Sequence, residues 1–112
     1  MLVTDACFHS CKTRRYKKRN GEYSKEWTLT QDYLEQIAQA QGGLCAISGQ
    51  VLVFHPETRR NSRTASIDRL NNKKGYVPGN VRWVHTDINQ MRRGLSDQKL
   101  FELCQMIVEH NK

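Results

Sequence analysis

Proline is scarce, at two residues, and no uninterrupted apolar stretch approaches the roughly 18–20 residues of a membrane-spanning helix. A transmembrane protein is thereby excluded. The opening MLVTDACFH lacks the basic-then-apolar pattern of a secretory leader, so the expectation is a soluble, cytoplasmic protein. Cysteines are few (Cys7, Cys11, Cys45 and Cys104), and without a secretion signal they argue against a disulfide scaffold. With 112 residues, 38% of them hydrophobic, and a mean hydropathy of −0.75, the chain suits one domain with a modest core. Acidic residues are the minority, 11 against 18 Lys and Arg. The resulting charge of +7 points to a polyanionic partner, nucleic acid first, although ribosomal-type or membrane-surface proteins share that composition.

The basic charge is concentrated. KTRRYKKR (residues 12–19) holds six positive side chains in eight, and reads either as a solvated face or tail or as a phosphate-gripping arm or helix. Beyond the turn at Asn20 and Gly21, a helix is expected from the N-cap Thr30 to the stop at Gly42, with Leu29 and Leu34 placed as a hydrophobic staple. LCAISGQVLVF (44–54) reads as a hairpin around a tight turn, and ETRRNSR (57–63) as a basic loop. An extended segment over 65–70, a turn-rich loop over 71–79, a strand over 80–84 and a helix from Thr86 to about Arg93 follow. Gly94 breaks that helix and Ser96 caps a last one, whose face Leu100, Leu103, Cys104, Ile107 and Val108 is expected to be buried. His110 would complement that helix's dipole. The fold class is α+β in a single domain.

The chemistry-bearing stretch is 66–92. Asp68 ends a strand, and His85 and Asn89, four apart, are placed on one helix face. A carboxylate opposite such a pair can hold one hard or borderline cation. Each residue alone also has a plain structural reading: a surface ion pair between Asp68 and Arg69, a helix cap at His85, a solvated Asn89. Trp83 reads as core, Tyr76 as packing for its loop, and His55, before Pro56, as a loop residue.

SIDRLNNKKGYVPGNVRWVHTDINQMR (66–92) resembles the ββα-metal core of HNH endonucleases. It is most similar to the phage and mobile-element branch that carries Asp-Arg in place of Asp-His. The basic segment from about Lys12, the helix containing LEQIAQAQ, the GLCAISG stretch and LFELCQMI also fit that branch. The resemblance implies a small ββα-metal core (65–93) with flanking N- and C-terminal helices, preceded by a basic segment (1–28), within one domain spanning 1–112. It implies a phosphodiester hydrolase acting on double-stranded DNA and leaving 5′-phosphate and 3′-hydroxyl ends, in a host cell if phage-encoded. Asp68 would be the metal-binding carboxylate, Asn80 the asparagine that ties the loop across the strands, Asn89 the last metal ligand, and His85 a metal or phosphate ligand. The cofactor would be one divalent cation, Mg²⁺ or Mn²⁺.

Two departures from the family pattern matter. Arg69 stands where the water-activating histidine is usual. An arginine stays protonated and cannot be that base, but it can grip the scissile phosphate. The base would then be His85 (favoured), His55 or a metal-bound hydroxide. The paired Cys-x-x-Cys zinc ligands of many relatives read here as Cys45/Ser48 and His85/Ile88, too few sulfur or nitrogen ligands for the structural zinc. Cys7, His9 and Cys11 form only an unspecific alternative. Backbone contacts are expected from Lys12, Arg14, Arg15, Lys17, Lys18, Arg19, Arg59, Arg60, Arg63, Lys73, Lys74, Arg82, Arg92 and Arg93, with binding that weakens as salt rises. A homodimer is compatible. The alternative function is an HNH-like nucleic-acid-binding module that has lost catalysis.

Overall fold

Thr4 opens the first helix, its backbone carbonyl accepting from the Phe8 N–H and its hydroxyl from the Cys7 N–H. This helix, α1 (Asp5–Tyr16), starts upstream of the basic run and takes in its first half. In the computed structural model, residues 1–16, 26–54 and 64–112 are described, of 14–16 the backbone alone. Lys17, Lys18, Arg19, His55, Arg59, Arg60 and Arg63 lie outside them. Cys7 and Cys11, one turn apart on α1, are both buried. The segment ahead of α1 is tied down by Glu35, whose Oε1 accepts the N–H groups of Leu2 and Val3 at 2.8 and 2.7 Å.

Thr30 caps α2 (Gln31–Ala40) by accepting the Tyr33 N–H, and the expected staple residues Leu29 and Leu34 are both buried. The expected hairpin over 44–54 contracts to a single bridge between Leu44 and Val51. Val53 instead pairs with Thr64, so this segment turns toward the sheet and away from its own first arm.

The sheet has two antiparallel strands, β1 (Ala65–Arg69) and β2 (Val81–His85), paired from Ala65 opposite His85 to Arg69 opposite Val81. Two strands alone are marginal in water, and here both faces are covered, by α1 and α2 on one side and by α3 (Thr86–Arg92) on the other. Side chains alternate accordingly. Ile67 and Trp83 enter the α1/α2 core, where Trp83 is fully buried, meets Phe54 edge-on at 5.0 Å and donates its indole N–H to the Leu34 carbonyl at 3.0 Å. Ser66, Asp68 and Arg82 turn toward α3.

The last helix, α4 (Asp97–His110), is capped by Ser96 as expected. Its expected buried face is corrected: only Leu100 is buried, while Ile107 and Val108 are 61% and 56% exposed. Helical spacing is thus satisfied on a helix whose later turns leave their apolar residues largely exposed. Among the described residues the protein is thus a small α+β structure of four helices and one two-stranded sheet. No described helix is long and apolar enough to cross a membrane.

Trp83→Ala is expected to lower unfolding free energy by about 3–5 kcal/mol. Ile107→Ala is expected to change it by no more than about 0.5 kcal/mol, both read from urea unfolding curves.

Candidate functional site

β1, the 71–79 loop and α3 border a polar pocket of about 200 Å³ whose lining includes Asp68, Arg69, Asn72, Asn89, Arg92 and Arg93. The local sequence explains how. Asp68 is the fourth residue of β1 and follows the parity that sends Ser66 toward α3. Asn89 lies one turn into α3, where its Nδ2 donates to the Ser66 hydroxyl (2.9 Å) and the Ile67 carbonyl (3.2 Å). With Nδ2 engaged on the strand, Oδ1 accepts no hydrogen bond from a described residue. Asp68 and Asn89, from different elements, therefore line one cavity.

Asn80 is buried and organises the loop that forms the pocket wall. Its Oδ1 accepts the Asn71 N–H, and its Nδ2 donates to the carbonyls of Asn71 and Gly75. Gly75 lies so close to Glu26 that a Cβ there would fall 2.5 Å from the Glu26 carbonyl oxygen. Arg69 stacks its guanidinium on Tyr76 at 5.0 Å and donates Nη1 to the carbonyls of Asn72 and Lys74, while its Nε and Nη2 bond no described residue. Arg93 ends α3 in the left-handed region (φ 42°) before Gly94. Gly94 follows at φ 89°, a conformation that residues with a Cβ rarely adopt, so the turn that places Arg93 on the pocket wall favours glycine next to it.

Asp68 is almost fully buried and is held from two sides. Arg82 Nε donates to Oδ2 and Arg92 Nη1 to Oδ1, each at 2.8 Å. Arg82 also forks onto Asp97 at 2.7 and 2.8 Å, and Arg92 adds the Arg69 and Leu70 carbonyls. The Asp97 bond is the main reason the Arg82 guanidinium is held still more firmly protonated, against the opposing effect of burial, with Asp68 adding to it. The same Arg82 bond holds the Asp97 carboxyl below the usual carboxylate range. The expectation that Arg82 and Arg92 grip DNA phosphates is corrected: both side chains are committed inward, to two buried or half-buried carboxylates. Lys73, Lys74 and Arg93 are exposed, and Lys12 sits 5.8 Å from the Trp27 ring. Arg14 and Arg15 lie on the α1 backbone.

His85 is also corrected. It is the last residue of β2 in extended conformation (φ −61°, ψ 141°), so the four-residue helical spacing to Asn89 does not apply to it. It stands opposite Ala65, three positions or about 10 Å along the strand from the Asp68 pairing. Strand parity also sends it to the other face of the sheet. There its Nδ1 meets the Ser48 hydroxyl and its Nε2 the Val51 carbonyl, both at 3.3 Å. It therefore joins neither Asp68 nor Asn89. It closes the 45–51 turn together with Cys45, whose sulfur accepts the N–H groups of His85 and Ser48. Burial pushes the Cys45 thiol up, but these hydrogen bonds outweigh it and hold the thiol below its ordinary value. Cys45, Ser48 and His85 thus come together as a hydrogen-bonded cluster. Cys7 and Cys11 face the core, whereas His9 is exposed.

A hard cation suits the Asp68/Asn89 donor set: all donors are oxygen, and two of about four lone-pair positions on the carboxylate remain outside the arginine bonds. Among the described residues no three His, Cys, Asp or Glu side chains gather at one point. The rest of a coordination sphere here would be water and substrate oxygen, the usual arrangement for Mg²⁺. Sequence reasoning missed Asp97, because the acid signals only a favourable first helical turn and no local pattern ties it to strand β2.

Replacing Asp68 by Asn should cost about 3–5 kcal/mol, since it strands a buried arginine charge. Asp97→Asn should cost about 1–2 kcal/mol at pH 7. Because the folded-state pKa of Asp97 is lowered, its contribution is complete above the unfolded value of about 3.9 and is lost as pH falls through the lower folded value. The gap between the wild-type and Asp97→Asn urea midpoints should therefore close on acidification below about pH 4. Set beside known proteins, the chain matches no protein-family model, no curated protein and no solved structure.

Proposed function

We propose that this protein is a divalent-metal-dependent DNA endonuclease of the HNH, ββα-metal type. The observation that carries the reading is the shared pocket: a carboxylate from a strand and a carboxamide from the following helix line one polar cavity, beside Arg69, Arg92 and Arg93, in the strand–loop–strand–helix order that the sequence resemblance implies.

Asp68 and Asn89 would hold the cation, Mg²⁺ or Mn²⁺, which supplies Lewis-acid polarisation of the phosphate and stabilisation of the departing 3′ oxygen. Arg69 donates its unengaged Nε–H and Nη2–H to a non-bridging phosphate oxygen, and Arg93 adds a second positive contact. Tyr76 fixes the Arg69 plane from behind, so the donors are aimed before substrate arrives. Asn80 keeps the loop wall in place. Water attacks phosphorus in line as the bond from phosphorus to the 3′ oxygen breaks, its proton passes to solvent, and solvent protonates the departing oxygen, leaving 5′-phosphate and 3′-hydroxyl ends. Neither Arg69 nor His85 takes the water's proton, the first by its charge and the second by its position. The exposed Lys73 and Lys74, with the basic run on and after α1, contact the duplex backbone.

A second reading has its own support. Both Asp68 oxygens already accept arginine hydrogen bonds, and no imidazole of a described residue lines the pocket, as suits a module that binds nucleic acid without cutting it.

Supercoiled plasmid incubated with Mg²⁺ or Mn²⁺ separates the two. The endonuclease gives relaxed or linear product that EDTA abolishes, and Asn89→Ala, which leaves the arginine pairs intact, lowers the rate about 10–100-fold. Plasmid left intact in every metal, with salt-sensitive binding retained, selects the binding module.

A further inference from the structure

We propose that Asp97, in the first turn of α4, is a positioning residue that keeps the Asp68 carboxylate open to a cation. The inference rests on the nuclease reading above.

Asp68 lies between two guanidiniums, and an arginine meeting a lone carboxylate prefers to fork onto it with two parallel N–H bonds. Two such forks would occupy every lone pair of Asp68 and leave a net positive site. Neither fork forms. Arg82 gives Asp68 only Nε, because its Nη1 and Nη2 are both taken by Asp97, at 2.8 and 2.7 Å. Arg92 gives Asp68 only Nη1, with its Nε directed to Asp97 at 3.3 Å and its Nη2 to the Leu70 carbonyl. Asp97 thus draws the wide edge of Arg82 away from the pocket carboxylate and balances the second positive charge, so that two acids face two bases.

Asp97 is not among the residues lining the pocket, and it acts through Arg82 and Arg92. Removing its charge frees the Arg82 fork to rotate onto Asp68. The loss should appear as weaker cation affinity more than as lost fold, because Asp97 is 39% exposed.

The test is Mn²⁺ titration of the free protein, followed by the electron paramagnetic resonance signal of unbound Mn²⁺, on wild type, Asp97→Asn, Asp97→Ser and Leu100→Ala. Leu100 is the buried residue of the same helix and, being apolar, makes no ion pair or side-chain hydrogen bond, so its variant reports loosening of α4 without removing a charge. Expected is about tenfold weaker Mn²⁺ binding in both Asp97 variants, near-wild-type affinity in Leu100→Ala, and plasmid nicking by the Asp97 variants that recovers at raised Mn²⁺. Wild-type Mn²⁺ affinity in folded Asp97 variants, or an equal loss in Leu100→Ala, overturns the role given to Asp97 and leaves the nuclease reading standing. A wild-type protein that neither binds Mn²⁺ nor nicks plasmid overturns both.

Discussion

One buried carboxylate joins four elements of this protein. Asp68 of β1 takes a hydrogen bond from Arg82 of β2 and another from Arg92 of α3, and both arginines continue to Asp97 of α4. A charge this deeply buried is tolerable only if paired and fully hydrogen-bonded, which fixes where the second strand, the short helix and the start of the last helix can sit. The same constraint orients the carboxylate toward the pocket shared with Asn89. Structure and proposed chemistry therefore load the same atoms, and a change at Asp68 disturbs both together. Asn89 separates them: the residue lines the pocket, while its amide nitrogen makes two hydrogen bonds that are modest beside a buried ion pair.

The remainder of the fold serves to hold a sheet too small to stand alone. Trp83 reaches from β2 to the Leu34 carbonyl of α2 and lies against Phe54, and the 75–76 loop bridges to Glu26 and Thr28 by backbone hydrogen bonds. Helices on both faces exclude water from Ile67 and Trp83 on one side and from Ser66 on the other. The pocket is thus walled by backbone that three separate contacts immobilise, the circumstance in which donors can be preorganised.

Features that depend on neighbouring residues were legible in the sequence. The Thr30 and Ser96 caps, the staple at Leu29 and Leu34, the break at Gly94 and the strand–loop–strand–helix order over 65–92 all depend on spacing within a few residues. Asp68, Asn80 and Asn89 were legible as a group through the motif. Features set by partners far along the chain were not. His85 looked helical by its distance to Asn89, but strand parity and register send it to the opposite face. Arg82 and Arg92 looked like phosphate contacts because a sequence shows charge and not the carboxylate that absorbs it. Ile107 and Val108 repeat at core spacing on outer turns that stay exposed, and α1 began at a Thr4 cap hidden ahead of a more conspicuous basic run.

On the proposed nuclease reading, the charge balance around Asp68 also bears on how substrate and metal would bind together. Asp68 and Asp97 against Arg82 and Arg92 sum to zero, and Arg69 and Arg93 on the pocket wall add positive charge. A bare divalent cation thus gains little from the pocket's own field, whereas a phosphate gains from both wall arginines and from a chain that carries +7 overall. On the proposed reading, a phosphate seated there would add an anionic oxygen and raise further the affinity that the free protein has for a cation at Asp68 and Asn89. Substrate and metal would then bind with positive coupling, each strengthening the other by the same factor. In that arrangement bound nucleic acid would strengthen the cation site while the protein's carboxylate remains engaged with the arginines that hold the fold together.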